Sequence, residues 1–383
     1  MAAQTRRARA KLRARDVGRS TLARVRRFRR QGWIAAALVV AAAVVALIAR
    51  GGGGDGGGGM QTTGTRPKPV APPTKPPGEA TPRPGREAVR RGHGTEPDEP
   101  ARGTGPLLGI ADQKPATFSD PLFRRLGVTR SRLNTPWNSI FTEPARLDAW
   151  LQAARAAGVE PLIAFERGRG DACPAAPCSL PSVADYTRAI EAFHRRYPWV
   201  RLLQPWNEAN SSTQPTGKHP DRAAAYYEAL KRVCPDCTIT AADVFDGANL
   251  ERWLRRFKAA LHGTPAPLWG LHNYSDTNRF HHTGTKRMLS AVSGQIWLTE
   301  AGGIVSFSTA DGRMPFPPDP QRAARATRYL FQLAELSPRI TRLYIYQWKI
   351  DFPGNRFDSG LVGPGGKPRP ALTVVRRHLP LIR

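Results

Sequence analysis

From residue 106 onward, short apolar runs alternate with longer stretches whose apolar residues recur every three or four positions. The apolar runs are PLLGIAD (106–112), VTRSRLN (128–134), EPLIAFE (160–166), VRLLQPW (200–206), TITAADV (238–244), LWGLHNY (268–274), QIWLTEA (295–301) and RLYIYQW (342–348). These are the strand candidates. Between them, ARLDAWLQAARAAG, SVADYTRAIEAFHRRY, DRAAAYYEALKRV, NLERWLRRFKAALHG, TKRMLSAVSG and QRAARATRYLFQLAEL repeat at helical spacing. SDPLFRRLG gives a short first helix and PALTVVRRHL the last. Eight strands, each followed by a helix, predict an α/β fold, a (β/α)8 TIM barrel, over residues 106–383. A doubly wound open sheet is the alternative. It usually has fewer strands and a Gly-rich phosphate turn, and the sequence carries neither GxGxxG nor a P-loop.

The first 105 residues have another pattern. Residues 33–49, WIAAALVVAAAVVALIA, are seventeen uncharged apolar residues, which as a helix span roughly 25 Å, the short end for a bilayer. The block before them, residues 1–32, holds twelve Lys/Arg and one acid, a net of +11. That block and the apolar run are too long for an ordinary signal peptide, and LIAR lacks a small-x-small cleavage site. The polyglycine tract after it, GGGGDGGGG, is not what a core helix needs. The pattern therefore predicts a single transmembrane helix at 33–49, with residues 1–32 as a basic cytoplasmic tail by the positive-inside rule. Residues 50–105, rich in Gly, Pro, Thr and charge, cannot bury enough apolar surface to fold and are expected to form a disordered tether. The barrel then lies outside the cell membrane.

Charge invites a nucleic-acid reading, which its distribution removes. Of the total +28, residues 106–383 carry +14. The densest block sits next to the apolar helix, where anionic lipid accounts for it. Most other arginines fall on solvated helix faces, as in DRAAAYYEALKR. The four cysteines form two close pairs, Cys173/Cys178 and Cys234/Cys237. Outside the membrane such pairs read as disulfides, with a structural zinc site built from both pairs as the alternative. A redox CxxC is disfavoured because CPDC comes after a helix rather than starting one. No spacing demands a catalytic metal or a cofactor, and His281-His282 reads as a solvated loop.

In a (β/α)8 barrel the active site lies at the C-terminal ends of the strands. Polar and aromatic residues collect there: Arg132, Asn134, Trp137 and Asn138; Glu166 and Arg167; Trp206, Asn207 and Glu208; Asp243 and Asp246; His272, Asn273 and Tyr274; Thr299 and Glu300; Gln347 and Trp348. A purely structural barrel does not require this. Glu208 and Glu300, on the fourth and seventh strands, can face each other over a central pocket. Two carboxylates about 5–5.5 Å apart carry out retaining glycoside hydrolysis. One attacks the anomeric carbon; the other protonates the departing oxygen and then activates water. Asn207 is placed to meet the sugar 2-hydroxyl, and Trp348 or Trp137 to stack on a sugar face. Arg132 and Tyr274 are placed to orient the nucleophile, with Arg130 a competitor for the first role. Read alone, either Glu is a loop acid after a strand; their pairing favours chemistry.

WNEAN, HNY, WLTEAGG and YQW, in that order on the strands, resemble clan A of the glycoside hydrolases, near families 5 and 39. The resemblance covers residues 106–383 and includes the closing segment DSGLVGPGGKPRPAL. It implies Glu208 as acid/base beside Asn207, Glu300 as nucleophile, His272 and Tyr274 as the strand-6 His-x-Tyr, Arg132 as the strand-2 arginine and Trp348 as the strand-8 tryptophan. Two positions depart from the pattern: Ala209 stands where many members have Pro, and Phe165-Glu166 where family 5 often has a His. Both leave the carboxylates in place and the family open. The expected function is a membrane-anchored glycosidase acting on a poly- or oligosaccharide. A tethered carbohydrate-binding protein without catalysis and a transglycosylase of the cell envelope are the alternatives. Sugar identity, linkage and oligomeric state are not written in this pattern.

Overall fold

The computed structural model of the chain describes residues 105–350 and 354–379. The basic tail, the apolar run at 33–49 and nearly all of the 50–105 tether therefore lie outside the described residues. Among the described residues no helix is long and apolar enough to cross a membrane.

Among the described residues nine strands form one parallel sheet: β1 (Leu107–Ala111), β2 (Arg130–Pro136), β3 (Glu160–Glu166), β4 (Leu202–Gln204), β5 (Thr238–Ile239), β6 (Asp243–Phe245), β7 (Leu268–His272), β8 (Gln295–Ala301) and, after the short β9 (Ser306–Phe307), β10 (Ile340–Tyr346). The order is β5-β4-β3-β2-β1-β10-β8-β7-β6. β5 and β6 are the two halves of the single strand expected at TITAADV. Thr240 N still donates to Leu203 O of β4 (3.2 Å), whereas Ala241 N donates to Leu268 O of β7 (2.7 Å). The segment thus pairs with β4 by its beginning and with β7 by its end, and the sheet closes into an eight-staved α/β barrel. β9 pairs antiparallel with β11 (Phe357–Asp358) to make a small ribbon at the barrel mouth.

The helices come after the strands: α1 (Pro121–Leu126), α2 (Ser139–Thr142), α3 (Pro144–Ala156), α4 (Val183–Arg196), α5 (Pro220–Val233), α6 (Leu250–Ala259), α7 (Tyr274–Arg279), α8 (Thr283–Ala291), α9 (Pro320–Ala334) and α10 (Pro370–His378). Their starts are written locally. Pro121, Pro144, Pro220, Pro320 and Pro370 each stand in the first turn, where a missing N–H costs nothing. Asp120, Ser182 and Asp319 accept backbone N–H groups of the turns they precede. The apolar pattern does not predict α7. YSDTNR is too polar to read as a packed helix, yet Tyr274, Asp276, Thr277 and Asn278 are all buried in it.

Alternation along the strands sorts two cores. Outward residues such as Ile110, Leu133, Ile163, Leu203, Leu271 and Leu343 pack against the helices. Inward Leu162, Leu202, Leu268, Trp297 and Tyr344 plug the lower barrel. Each fully buried Leu or Ile contributes about 1.5–3 kcal/mol relative to exposure. The upper barrel, above that plug, is polar. Both cysteine pairs are disulfides, Cys173–Cys178 in the loop after β3 and Cys234–Cys237 between α5 and β5. The zinc alternative is thereby corrected: each thiol pair is closed on itself and offers no thiolate.

Candidate active site

Above the apolar plug, β2 turns Arg132 into the barrel, where it is buried. Arg130, one pleat below, is half-buried and lies 3.5 Å from Glu160, so the guanidinium in the site is that of Arg132. Its Nε donates to Gln204 Oε1 (2.6 Å), Nη1 to Glu300 Oε2 (2.7 Å), and Nη2 to both Asn207 Oδ1 (2.7 Å) and Asp243 Oδ2 (2.8 Å). One cation thus ties together β2, β4, β6 and β8.

Asp243 receives that bond from within β6, and its other oxygen accepts a short bond from the Thr299 hydroxyl. Room for it comes from Gly270 on β7. A Cβ at residue 270 would collide with Asp243 Oδ1 and crowd Gln204 Nε2 and Thr299 Oγ1. Burial alone would raise the Asp243 carboxyl, but the charges of His272 and Arg132 outweigh it and hold the group at about 2. His272 shows the complementary balance. Burial would lower it, yet the negative charges of Asp243 and Glu300 push it up to about 10. The ring lies between two carboxylates, with Nε2 3.0 Å from Asp243 Oδ2 and 3.3 Å from Arg132 Nη2, and Nδ1 3.2 Å from Glu208 Oε1, and the paired carboxylates favour its charged form.

Glu208 lies just past β4 in the left-handed region, with φ of 45°. Such backbone in a non-glycine residue costs about 1–3 kcal/mol and persists only where neighbours over-determine it. Here they do: Asn207 N is bound to Phe165 O, Ala209 N to Asp243 O and Ser211 N to Glu208 O. The turn holds the buried carboxyl over the barrel axis. Burial pushes its pKa up, against the pull of His272. Its Oε2 is buried and has no hydrogen-bond partner.

Glu300 reaches the site through a register break. Leu271 pairs with Leu298, but His272 pairs with Glu300. The extra residue lets both Thr299 and Glu300 turn inward, where strict alternation admits only Thr299. Besides Arg132, Glu300 accepts from Tyr274 Oη (3.1 Å, to Oε1) and Asn134 Nδ2 (3.4 Å, to Oε2). Tyr274 is seated edge-on against Phe357 of the β9–β11 ribbon, with ring centroids 5.7 Å apart. Removing its hydroxyl in Tyr274→Phe withdraws a bond to a charged acceptor, worth about 1.5–3 kcal/mol. We expect turnover of any substrate the site accepts to fall about tenfold or more, with the melting temperature nearly unchanged. A variant as fast as wild type would remove Tyr274 from the site.

Arg132, Asn207, Glu208, His272, Tyr274 and Glu300 are thus brought together. Trp137 stands at the rim: it is half-buried, and its backbone N–H donates to Glu166 O (2.9 Å). Half-buried Glu166 lies nearby, pushed up to about 7 by burial despite Arg167 and Arg169. Asp246 accepts the N–H groups of Ser275 and Asp276 and braces the start of α7. Trp206 stacks on Tyr226 in the helical layer. Trp348 requires a correction. Its indole is fully buried, donates to Asp120 Oδ2 (3.0 Å) and packs edge-on to Phe123 of α1, so it presents no face to the barrel mouth. The expectation extended the strand alternation through residue 348, whereas β10 ends at Tyr346. Trp348→Phe should therefore cost about 1–3 kcal/mol by taking the indole donor from Asp120 Oδ2, seen as a lower melting temperature with ligand binding at the barrel mouth unchanged. Asn134, Asp243 and Thr299, placed at the mouth by the sequence without a role, belong to the network, as does Gln204, which the sequence did not single out.

No protein-family model matches the sequence, and no curated protein matches it. Solved structures do resemble it. The barrel of xylanase 10B from Thermotoga petrophila, solved with xylobiose, superposes with a TM-score of 0.53 over 72% of this chain and 94% of that one, at 13% identity. GH5_18 from Streptomyces cattleya, solved with GlcNAc, gives 0.50 over 72% and 80%, at 15% identity. The fold is one that glycoside hydrolases share. A family 39 glycoside hydrolase from Bacteroides cellulosilyticus aligns at 17% identity and a TM-score of 0.49; the match covers 73% of this chain and 64% of the other.

Proposed function

We propose that the chain is a retaining glycoside hydrolase acting on an O-glycosidic bond of a poly- or oligosaccharide. The observation that carries this reading is a pair of buried glutamates with unlike surroundings on one network. Glu300 accepts from Arg132 and Tyr274 on its two oxygens. Glu208 is raised by burial and keeps one oxygen unpartnered. Such a split is what assigns a nucleophile and an acid/base. In the first step Glu300 forms a bond to the anomeric carbon while Glu208 gives its proton to the departing oxygen, which takes the C–O electron pair. In the second, the Glu208 carboxylate takes a proton from water, whose oxygen displaces Glu300. Trp137 at the rim serves as a sugar platform. Residues 1–105 tether the enzyme, tail inside and barrel outside the cell membrane.

The test is a panel of β-linked glycans and aryl β-glycosides, with released sugar measured for wild type and Glu300→Gln. Release that vanishes in the variant supports the reading and names the substrate class. Glycan binding without release by wild type would make the protein a tethered carbohydrate-binding module instead. Fractionation of cells expressing the full chain, with and without residues 33–49, tests the tether; release of the full chain in soluble form would overturn it.

A further inference from the structure

The polar upper barrel converges on Glu208, and one buried group in it has no role in the two-glutamate chemistry. That group is Asp243. It touches neither glutamate, yet it is fully buried and holds Arg132, Thr299 and His272 at once. Burying a carboxylate is costly unless it is paired and hydrogen-bonded. A barrel that needed only Arg132 to orient Glu300 would have no use for the further bond to His272. That bond has a direction: the imidazole lies between Asp243 and Glu208, with one nitrogen on each carboxylate.

We propose that Asp243 is a positioning residue acting through His272: it keeps the ring charged, so that Nδ1–H always occupies Glu208 Oε1 and the proton of catalysis is exchanged only at Oε2. This deepens the glycosidase reading and rests on it for its catalytic consequence. The demands on Glu208 alternate within one turnover, since it must hold a proton in the first step and lack one in the second. Burial favours the protonated form. A fixed cation beside Oε1 favours the ionised one. The two together keep both forms within reach, and the fixed hydrogen bond leaves the unpartnered Oε2 to face the glycosidic oxygen. The charged or titratable groups around the His272–Glu208 contact are Asp243 from β6, Arg132 from β2, Glu300 from β8 and Tyr274 from α7. Arg132 and Tyr274 also donate to Glu300, so Asp243 is the carboxylate whose removal discharges His272 most directly.

Two measurements on full-length protein separate this inference from the reading beneath it. The first is an NMR titration of protein labelled at its eight histidines, with the His272 signal assigned by its loss in His272→Gln. In wild type it should keep the imidazolium shift past pH 9. In Asp243→Asn it should titrate near neutrality, and in the milder Thr299→Val it should move in the same direction by less. A His272 signal that titrates near 6.5 in wild type overturns the proposal, whatever the enzyme does. The second is the pH profile of kcat/KM on the substrate found by the glycan panel. Loss of activity on the alkaline side reports loss of the Glu208 proton. With His272 discharged, the Glu208 anion loses its support, so its pKa rises and that limb should move to higher pH by about one unit or more. A uniform drop in rate with the limb unmoved, in both Asp243→Asn and Thr299→Val, would make Asp243 merely structural. An NMR result as expected beside inert wild-type protein would sink the glycosidase reading and leave the charge assignment standing.

Discussion

Glu300→Gln should lose at least about 10⁴-fold in turnover of any glycoside the wild type cleaves, an increase of roughly 5.5 kcal/mol in the barrier. Gln is nearly isosteric: its carbonyl oxygen can still accept from Arg132 while its NH2 donates to the Tyr274 hydroxyl oxygen, so the loss reflects the nucleophilic carboxylate rather than the packing. Glu208→Gln should behave differently. Its loss should be about 10²–10⁴-fold for substrates whose leaving group needs a proton. An aryl glycoside with a good leaving group needs none, so the first step survives and the second, which needs a base, stalls. The glycosyl-enzyme then accumulates and appears in the intact mass of Glu208→Gln, while Glu300→Gln shows none. Added azide, which attacks without a base, should restore turnover of the Glu208 variant with retained configuration at the sugar. Adduct in the Glu300 variant, or no difference between the two, would reverse or remove the assigned roles.

Much of this site is legible in the sequence because the barrel imposes one rule: the residues at and just past the C-terminal end of a strand lie at the mouth. Asn207, Glu208, His272 and Tyr274 obey it, whereas Arg132 lies near the start of β2 and reaches the site from its inward face. Strand positions were legible for a related reason, since runs such as EPLIAFE are apolar on both faces; their ends were less so, because β2 and β10 are each displaced by two residues from VTRSRLN and RLYIYQW. The illegible part depends on breaks in the period. Counting by two from Trp297 puts Thr299 inside and Glu300 outside; only the register shift against β7 brings both in. The same counting from Tyr344 and Tyr346 puts Trp348 inside, and the end of β10 takes it out. Asp243 was readable as a charge within an apolar strand. Its meeting with Arg132, His272 and Thr299 was not, since they sit on three other strands and reach it only because Gly270 leaves a space. Side-chain identity gives the parts; closure of the sheet decides which of them touch.

The second large effect should fall on stability. Arg132 satisfies Asp243, Glu300, Gln204 and Asn207 from one buried position. Removing a partner from a buried ion pair costs about 3–5 kcal/mol, because the charge left behind has lost water and gained nothing. Arg132→Met roughly keeps the volume and strips Asp243 and Glu300 of their shared cation, leaving only the uncharged donors Thr299, Tyr274 and Asn134 and the His272 ring beside Asp243. We expect its melting temperature to fall by on the order of 10 °C. The loss should also depend on pH, with a definite sign. Without the guanidinium, the folded-state pKa of Asp243 rises from about 2, so the variant releases fewer protons on folding than wild type. Its deficit should be greatest at neutral and alkaline pH, where the carboxylates are ionised, and should shrink as pH falls. The double variant Arg132→Met/Asp243→Asn should recover part of the loss, since it removes a stranded charge along with its lost partner. A single variant within about 1 °C of wild type across that range would mean that the network holds the glutamates in place without holding the barrel together. Arg132 would then be needed for chemistry alone.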